Sequence, residues 1–392
     1  MVPNSDREEK IPIWRDERFW KIALQVFVLV AVILIVSTLF GNAFRTLQQQ
    51  GRQFNFNFLG NPASFNIGES VIPYQAQDPY WKAFLVGLVN TLRLILVGFV
   101  LTTVFGVLTG IASFSNNWLL RKLSQVYVEL IRNTPLLLQL FVWYFGVVFG
   151  LAGNEPRQIL GSFFITKLNG GGVFIPWMAS TSTAYISLGL LVAAIVALFV
   201  IWQWRLKIME TQGASGKPQQ MAMLVIGAIA LLLLVIGLNW QTPQPNETGV
   251  ITGGLRMSLE YAAILGGLFF YTGAFIAEIV RAGIQSVSRG QWEAARALGL
   301  NAGFVMRLVV FPQALRVIIP SLNSQYMNLA KNSSLALAIG YPDIYSTAST
   351  TFNQTGRPIE VFFIIAATYL SINLVISLVM NRLNQSVQLM ER

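Results

Sequence analysis

Glu293-Ala294-Ala295-Arg296-Ala297-Leu298-Gly299-Leu300, followed by a mostly apolar run that closes on Phe311-Pro312, is a polar, helix-forming stretch between two strongly apolar ones. Just before it, Ser288-Arg289-Gly290-Gln291 has the capping-box pattern, with Ser at the N-cap and Gln three residues on. A short helix is expected through Trp292 to Leu298, and Gly299 suits the left-handed stop that ends such a helix. Asn301 can cap a second short helix in which Phe304, Leu308 and Phe311 share an apolar face. Pro312 then closes the unit and redirects the chain into the next apolar span. The spacing predicts a compact helix pair at a membrane face. Ala294 and Ala295 are small enough to let another surface approach closely, and Glu293 and Arg296 offer polar contacts at its edge.

The membrane enters through composition. Of 392 residues, 54% are hydrophobic and 11% charged, where a soluble domain carries roughly 25% charged residues. A deficit spread along the whole chain marks a polytopic membrane protein. Cys and His are both absent, which removes thiolate and imidazole metal ligands, thiol nucleophiles and the commonest general base. No metal-ligand cluster is present, and an enzyme reading starts weak. The net charge of +10 lies in short loops between apolar spans, with no basic stripe interleaved with aromatics, so it reads as membrane orientation and gives no sign of nucleic-acid binding. The first twenty residues carry Asp6, Arg7, Glu8, Glu9, Lys10, Arg15, Asp16, Glu17 and Arg18, too many charges for a cleaved signal peptide, so the first apolar span is expected to stay as an anchor.

A crossing helix needs ~20 mostly apolar residues. The candidate spans are Lys21–Gly41, Ala83–Ser113, Val126–Gly150, Ala184–Trp204, Met221–Leu238, Met257–Val280, Ala314–Lys331 and Pro358–Met380. They predict an all-α transmembrane bundle of about eight helices. With the N-terminus inside, regions 1–21, 113–125, 205–220, 281–316 and 381–392 are inside and hold roughly 17 of the 27 Lys and Arg. The opposite orientation reverses that bias, so N-in, C-in is expected. The outer segment 42–80 contains Phe54-Asn55-Phe56-Asn57-Phe58, either a short strand or, preferred, an interfacial aromatic anchor. Residues 151–182, with Gly170-Gly171-Gly172, and 239–256 read as flexible loops.

Charged and amide side chains inside apolar spans are expensive and are functional candidates by default. Gln325, Asn328 and Lys331 step at helical spacing along one face that cannot comfortably meet lipid, so it lines a path or a subunit contact. An amino-acid zwitterion needs acceptors for its ammonium and donors for its carboxylate, and these amides with Lys331 and Ser333 can supply the carboxylate side. An interhelical hydrogen-bond network is the alternative. Glu129 and Arg132, three residues apart on a helix, can pair, as a structural bridge or as a gate. Pro135 removes one backbone hydrogen bond and permits a kink. Arg93 either snorkels to the outer interface or serves a function at depth. Gly106 and Gly110 form a Gly-x-x-x-Gly pair for close helix packing with an unspecified partner. Gly216-Lys217-Pro218 lacks the upstream glycine and the Ser/Thr of a phosphate-binding loop. Asn246-Glu247-Thr248 is a glycosylation acceptor only by chance match.

The polar loop with its glycine, apolar run and proline resembles the EAA loop of ABC-importer permeases. Arg132-Asn133-Thr134-Pro135-Leu136-Leu137-Leu138-Gln139 is similar to the Arg-x-Thr-Pro-Leu-x-x-Gln signature of the polar amino-acid branch, and Lys331-Asn332-Ser333-Ser334-Leu335 to its Lys-(Asp/Asn)-(Thr/Ser)-Ser-Leu segment, with the family's spacing running on to Asp343. The resemblance covers roughly residues 81–382. It implies a type I ABC-importer permease fold in the bacterial inner membrane. Residues 1–80 would be an N-terminal segment with an extra helix and a long outer loop, 81–382 the permease domain with its coupling loop at 288–312, and 383–392 a cytoplasmic tail. Glu293, Ala294, Ala295, Arg296, Gly299 and Pro312 would couple to a cytoplasmic ATPase dimer. Arg132, Thr134, Pro135, Gln139, Gln325, Asn328, Lys331 and Ser333 would belong to the translocation path or its gate. The further partners implied are an external solute-binding protein, an amino-acid substrate and, as in the general L-amino-acid subgroup, a second, different permease. This chain would bind no cofactor, with ATP and Mg on the partner ATPase. The insertion at 151–255 is longer than in minimal members of the family. A secondary transporter or channel is the competing reading, against which stand the missing His and the lack of two similar halves.

Overall fold

The computed structural model describes residues 17–49, 53–168, 171–212, 216–247 and 249–387. Most of the charged N-terminal stretch, Gly170, Thr248 and the end of the tail lie outside them. Among the described residues, seven helices are long and apolar enough to cross a bilayer: Phe19–Asn42, Tyr80–Ala112, Ser182–Met209, Lys217–Gly237, Leu259–Gln285, Ala302–Ile339 and Pro358–Val387. They fall within or coincide with α1 (Glu17–Gln49), α2 (Tyr80–Ala112), α5 (Ser182–Gln212), α6 (Lys217–Leu232 with a π-helical turn to Gly237), α7 (Leu259–Gln285), a composite rod and α12 (Pro358–Val387).

The expected third span, Val126–Gly150, is not one helix. It is α3 (Trp118–Arg132) and α4 (Leu136–Phe141, running on as a π-helix to Phe149), separated at Asn133–Pro135. Counted as one broken crossing, the pair makes eight with the seven long helices, which keeps both ends inside. The expected Ala314–Lys331 span is instead part of the rod Ala302–Ile339. The rod joins α9 (Ala302–Phe304), a π-helical stretch Val305–Val310, α10 (Phe311–Asn332) and a 3-10 segment Ser333–Ile339. Pro312 sits in the first turn of α10 and does not redirect the chain, contrary to the sequence expectation. Two shorter helices complete the order, α8 (Arg289–Ala297) and α11 (Ile344–Thr355).

Packing is concentrated on α7, which meets α2, the broken span and the rod. The Gly-x-x-x-Gly pair finds its partner there. A Cβ on Gly106 would lie 2.6 Å from Cβ of Ile276, and one on Gly110 would lie 2.7 Å from the Ala277 carbonyl oxygen. Only glycine allows that approach. Over half of the apolar window of α7 is buried (56%), against none of α1 or α6. Helices α5 and α6 pack on each other as a hairpin; their remaining faces are apolar and suit lipid.

The outer face is more ordered than the sequence suggests. The two stretches expected as flexible loops form a four-stranded antiparallel sheet in the order β1-β2-β3-β8: β1 (Arg157–Ile159), β2 (Phe164–Lys167), β3 (Gly172–Ile175) and β8 (Leu255–Met257). The register sets Ile165 against Phe174 and Val173 against Met257. Between them lie two two-stranded ladders, β4 (Trp177–Met178) with β5 (Trp240–Gln241) across the α5–α6 insertion, and the hairpin of β6 (Gln244–Pro245) with β7 (Ile251–Thr252). Segment 53–79 forms no named strand. Its aromatics anchor on the protein: Phe58 is buried beside Ala63, Tyr80, Phe84, Ile344 and Val361, and the Phe54 ring lies 5.7 Å from that of Phe363 on α12.

Candidate functional site

The polar unit Ser288–Pro312 has the local geometry its sequence asks for at the C-terminal end of its first helix. Gly299 is left-handed, with φ +77°. Its N–H donates to the Arg296 carbonyl at 2.9 Å, and the Leu300 N–H donates to the Ala295 carbonyl at 3.3 Å. That pair of bonds is the Schellman closure. Asn301 caps the next turn, its Oδ1 accepting from the Phe304 N–H at 3.0 Å. Two expectations need correction. Ser288 holds the N-cap position of α8 without a side-chain cap bond; the Gln291 side chain instead accepts from Gln313 Nε2 at 3.3 Å. Ala295 is buried, facing the chain's own bundle with Trp292. The outward surface consists of Glu293, Ala294, Arg296, Ala297 and Leu298. Leu298, which the sequence analysis did not single out, is 80% exposed.

The broken span has a mechanism for its break. Proline lacks an N–H, so the carbonyl four residues back, on Ile131, loses its helical partner. Gln139 takes over that bond: its Nε2 donates to the Ile131 carbonyl at 2.9 Å and to Thr134 Oγ1 at 2.6 Å, and lies 3.1 Å from the Thr134 carbonyl. Asn133 Nδ2 donates to the Glu129 carbonyl at 2.8 Å. The end of α3 is therefore closed by side chains drawn from the Arg-x-Thr-Pro-Leu-x-x-Gln signature itself. Gln139 is buried, while Arg132, Thr134 and Pro135 are exposed. The expected kink is thus a stapled discontinuity.

Arg132 does not pair with Glu129. Its guanidinium reaches Glu278 of α7 at 3.7 Å, and Glu278 also receives Arg281 at 3.2 Å. The three charges, with Glu129, Gln125 and Asn133, line a cavity of about 540 Å³ between α3, the end of α2 and α7. Glu278 and Arg281 were missed, although an acid inside the span Met257–Val280 is itself the signal for such a residue. Arg93 reaches towards the outer segment. It pairs with Glu69 and lies 4.0 Å over the Tyr261 ring.

On the rod, Asn328 and Lys331 are exposed and Gln325 half-buried, so the polar stripe points away from the chain's own packing. Ser333 departs from it: it is fully buried and its hydroxyl donates to the Ala330 carbonyl at 2.8 Å. Helix α4 packs against the 3-10 segment Ser333–Ile339, which brings the break close to the outer end of the stripe. A face of amides and an ammonium at membrane depth is not covered by lipid, so it meets water or another chain. Asp343 follows the rod. It is fully buried and caps α11, with Oδ1 accepting from the Ser346 N–H at 2.7 Å and Oδ2 from the Tyr369 hydroxyl at 3.3 Å. Burial pushes its carboxyl up to about 7.

Residues 257–389, from β8 through α12, match the family of binding-protein-dependent transport system inner membrane components. The chain is 42% identical to the amino-acid ABC transporter permease protein YhdX of Escherichia coli (strain K12), over 94% of each chain. It is 41% identical to the general L-amino acid transport system permease protein AapQ of Rhizobium johnstonii, over 96% of this chain and 94% of that one. It is 38% identical to the glutamate/glutamine/aspartate/asparagine transport system permease protein BztB of Rhodobacter capsulatus, over 96% of each. These full-length likenesses do not favour a secondary carrier. With eight crossings and both ends inside, this multi-pass protein of the bacterial inner membrane belongs to the amino-acid ABC-transporter permease family.

Proposed function

We propose that this chain forms part of the path of an ATP-driven amino-acid importer and takes its power stroke through the Glu293–Gly299 surface. One observation carries the reading. The rod Ala302–Ile339 is a continuous helix of 38 residues, about 57 Å long at 1.5 Å per residue. Its inner end follows directly on the coupling helix, and its outer half bears Gln325, Asn328 and Lys331. A push on α8 is delivered along this helix, past Pro320 inside α10, to the polar stripe. A cytoplasmic ABC ATPase dimer docks on Glu293, Ala294, Arg296 and Leu298. ATP and Mg are held there, and this chain supplies no ATPase site of its own. A second, related permease covers the polar stripe and closes the path between the two, and an external solute-binding protein delivers the substrate. The ATPase acts by binding the two states of the permease pair with different affinity. The names of the relatives point to amino acids as the cargo class, and the acceptors and donors along the stripe suit a zwitterion.

The test begins with affinity purification from native membranes in mild detergent. An ATPase and a second permease should co-purify, and the complex in proteoliposomes should take up amino acids only with ATP and binding protein. Glu293→Arg and Gly299→Trp should each abolish that uptake, the second because its residue sits at φ +77°, where a side chain is strained. Lys331→Ala should impair uptake and leave assembly intact. Full activity in both coupling variants refutes docking at this surface. Uptake driven by an ion gradient without any ATPase refutes the importer.

A further inference from the structure

The outer segment 53–79 and the inserted sheet meet at one place. A cavity of about 310 Å³ opens on the outer face between Glu69 of the first, Lys167 of β2 and Arg256 of β8, and Glu260 at the start of α7. Its floor is a fixed polar network. Glu69 receives the Arg93 guanidinium on one carboxylate oxygen and the Ser258 hydroxyl on the other. The amide of Asn90 donates to the carbonyls of Glu69 and Pro342 at 2.8 and 2.9 Å. Asn90 is fully buried, and its own Oδ1 has no hydrogen-bond partner. Glu69 is thereby committed to the floor.

The walls differ from the floor. Lys167 and Glu260 are opposite in sign and half-buried in the same cavity, and no ion pair joins them among the described residues. Lys167 Nζ donates to the Gly249 carbonyl at 2.8 Å, one of the three donors an ammonium has. Arg256 Nε donates to the Gly171 carbonyl at 2.8 Å. One oxygen of Glu260 accepts from the Tyr144 hydroxyl at 3.2 Å. A half-buried charge without a counter-charge is costly. Here one half-buried cation, Lys167, and one half-buried anion, Glu260, line the same space, whose volume lies at the lower end of small-ligand pockets, ~300–1,000 Å³. A ligand carrying only a carboxylate or only an amine leaves one wall unmatched. A dipolar ligand matches both.

We infer that this cavity is an outer receiving site for a free α-amino acid, with Lys167 holding the carboxylate and Glu260 the ammonium. The inference rests on the amino-acid reading above and adds a place where substrate waits before the path. The cavity also touches Gly340, the residue after the outer end of the rod, so a ligand moving inward passes to the face that bears Lys331 and Asn328.

The experiment uses the permease–ATPase complex in nanodiscs without binding protein, titrated with radiolabelled L-glutamine, whose only charges are the ammonium and carboxylate on Cα. Saturable binding is expected, weakened about 10-fold or more by Glu260→Gln and by Lys167→Gln, each of which deletes one charge-assisted contact. Lys167→Arg, which keeps the positive charge, should bind like the unaltered chain. N-acetyl-L-glutamine, which lacks the ammonium, should not compete. Variant complexes must elute intact, which separates site loss from misfolding. Lack of saturable binding in the unaltered complex, both to glutamine and to a mixture of the common L-amino acids, overturns the inference; so does binding that neither substitution weakens. ATP-driven uptake with binding protein, measured on the same preparations, separates the two readings. Uptake without binding at this cavity refutes the receiving site alone, and absence of uptake refutes the importer.

Discussion

Pro135 and Pro312 stand in the same chain, each beside an apolar run, and each lacks the N–H that a helix needs. One ends a helix and the other does not. Pro135 is extended, at φ −62° and ψ 137°, and α3 stops three residues before it. At Pro312 the preceding residue, Phe311, stays helical at φ −63° and ψ −42°, although proline disfavours helix in its predecessor. The difference lies in what happens to the neighbouring backbone. At Pro135 the freed Ile131 carbonyl is taken by the Gln139 amide, so an open break is satisfied. Before Pro312 the helix has already widened into a π-turn, with the Phe311 N–H donating to the Met306 carbonyl five residues back. The wider turn gives the ring room that an α-turn denies it. A proline therefore marks a break only where another group is present to close the ends.

Gln139→Leu attacks the side of that comparison with the most to lose. It removes the shortest bond to the Ile131 carbonyl, at 2.9 Å, leaving that oxygen the Thr134 hydroxyl at 3.1 Å and the Thr134 N–H at 3.4 Å, and it removes the bond to Thr134 Oγ1. Each lost hydrogen bond is worth ~0.5–1.5 kcal/mol, so the thermal midpoint of the purified chain should fall and ATP-driven uptake should drop by an order of magnitude or more. The double variant Pro135→Ala/Gln139→Leu restores a backbone donor for Ile131. It should regain much of the stability without regaining uptake, because the break is replaced by a straight helix. A double-mutant cycle measures the coupling directly. Strictly additive effects in that cycle would mean that Gln139 is not the staple of this break.

A smaller effect is expected at Asp343, where a side chain also satisfies an interrupted backbone. Its carboxyl sits at about 7 against 3.8 for an ordinary aspartate, so between those values the folded state holds a proton that the unfolded state has released. Stability tied to this group is then greatest below about pH 4, declines as pH rises towards 7 and is level above that. Asp343→Asn keeps a capping oxygen and removes the titration. The variant should melt at nearly the same temperature as the unaltered chain at about pH 4, and at an increasingly higher one as pH rises to about 7. Parallel melting curves for the two proteins across that range would show that burial does not hold the proton there.

The parts of the molecule that were legible from sequence are those set by neighbours along the chain. The left-handed stop at Gly299 and the cap at Asn301 each depend on a few adjacent residues, and both are present. Seven crossings follow from apolar length alone. What escaped reading depends on distant partners. Helical spacing offered Glu129 to Arg132, but packing of α3 on α7 offers Glu278. The residues of the Pro135 signature were visible, whereas the bond from Gln139 back to Ile131 requires knowing that the helix is open there. The outer sheet was missed because its strands are two to four residues long and rich in neighbouring glycine. Pairing β3 with β8 also spans the whole α5–α6 hairpin, which no local pattern encodes. Ala295 was given to the docking face because a three-residue motif does not reveal which of its small residues the bundle claims.

Pro312→Ala is the mildest substitution and sharpens the comparison most. If Pro312 redirected the chain, alanine there would straighten the coupling unit, change the angle at which α8 is presented and disturb uptake. In the continuous rod nothing is straightened: Phe311 is already helical, the π-turn precedes it, and an exposed residue in the first turn of α10 gains one N–H. Alanine is favoured over proline inside a helix, but the π-turn before Pro312 already accommodates its ring, and proline's restriction of the unfolded chain is worth roughly 0.4–1 kcal/mol in the opposite sense. The two effects oppose each other, so the melting temperature should shift little and uptake should stay near that of the unaltered chain. The same change at Pro135, in the Gln139 background, should cost uptake heavily, because there the proline holds a break open. Comparable losses at the two positions would mean that the rod hinges at Pro312 during transport, and the push from α8 would then have to reach Lys331 by some route other than a rigid helix.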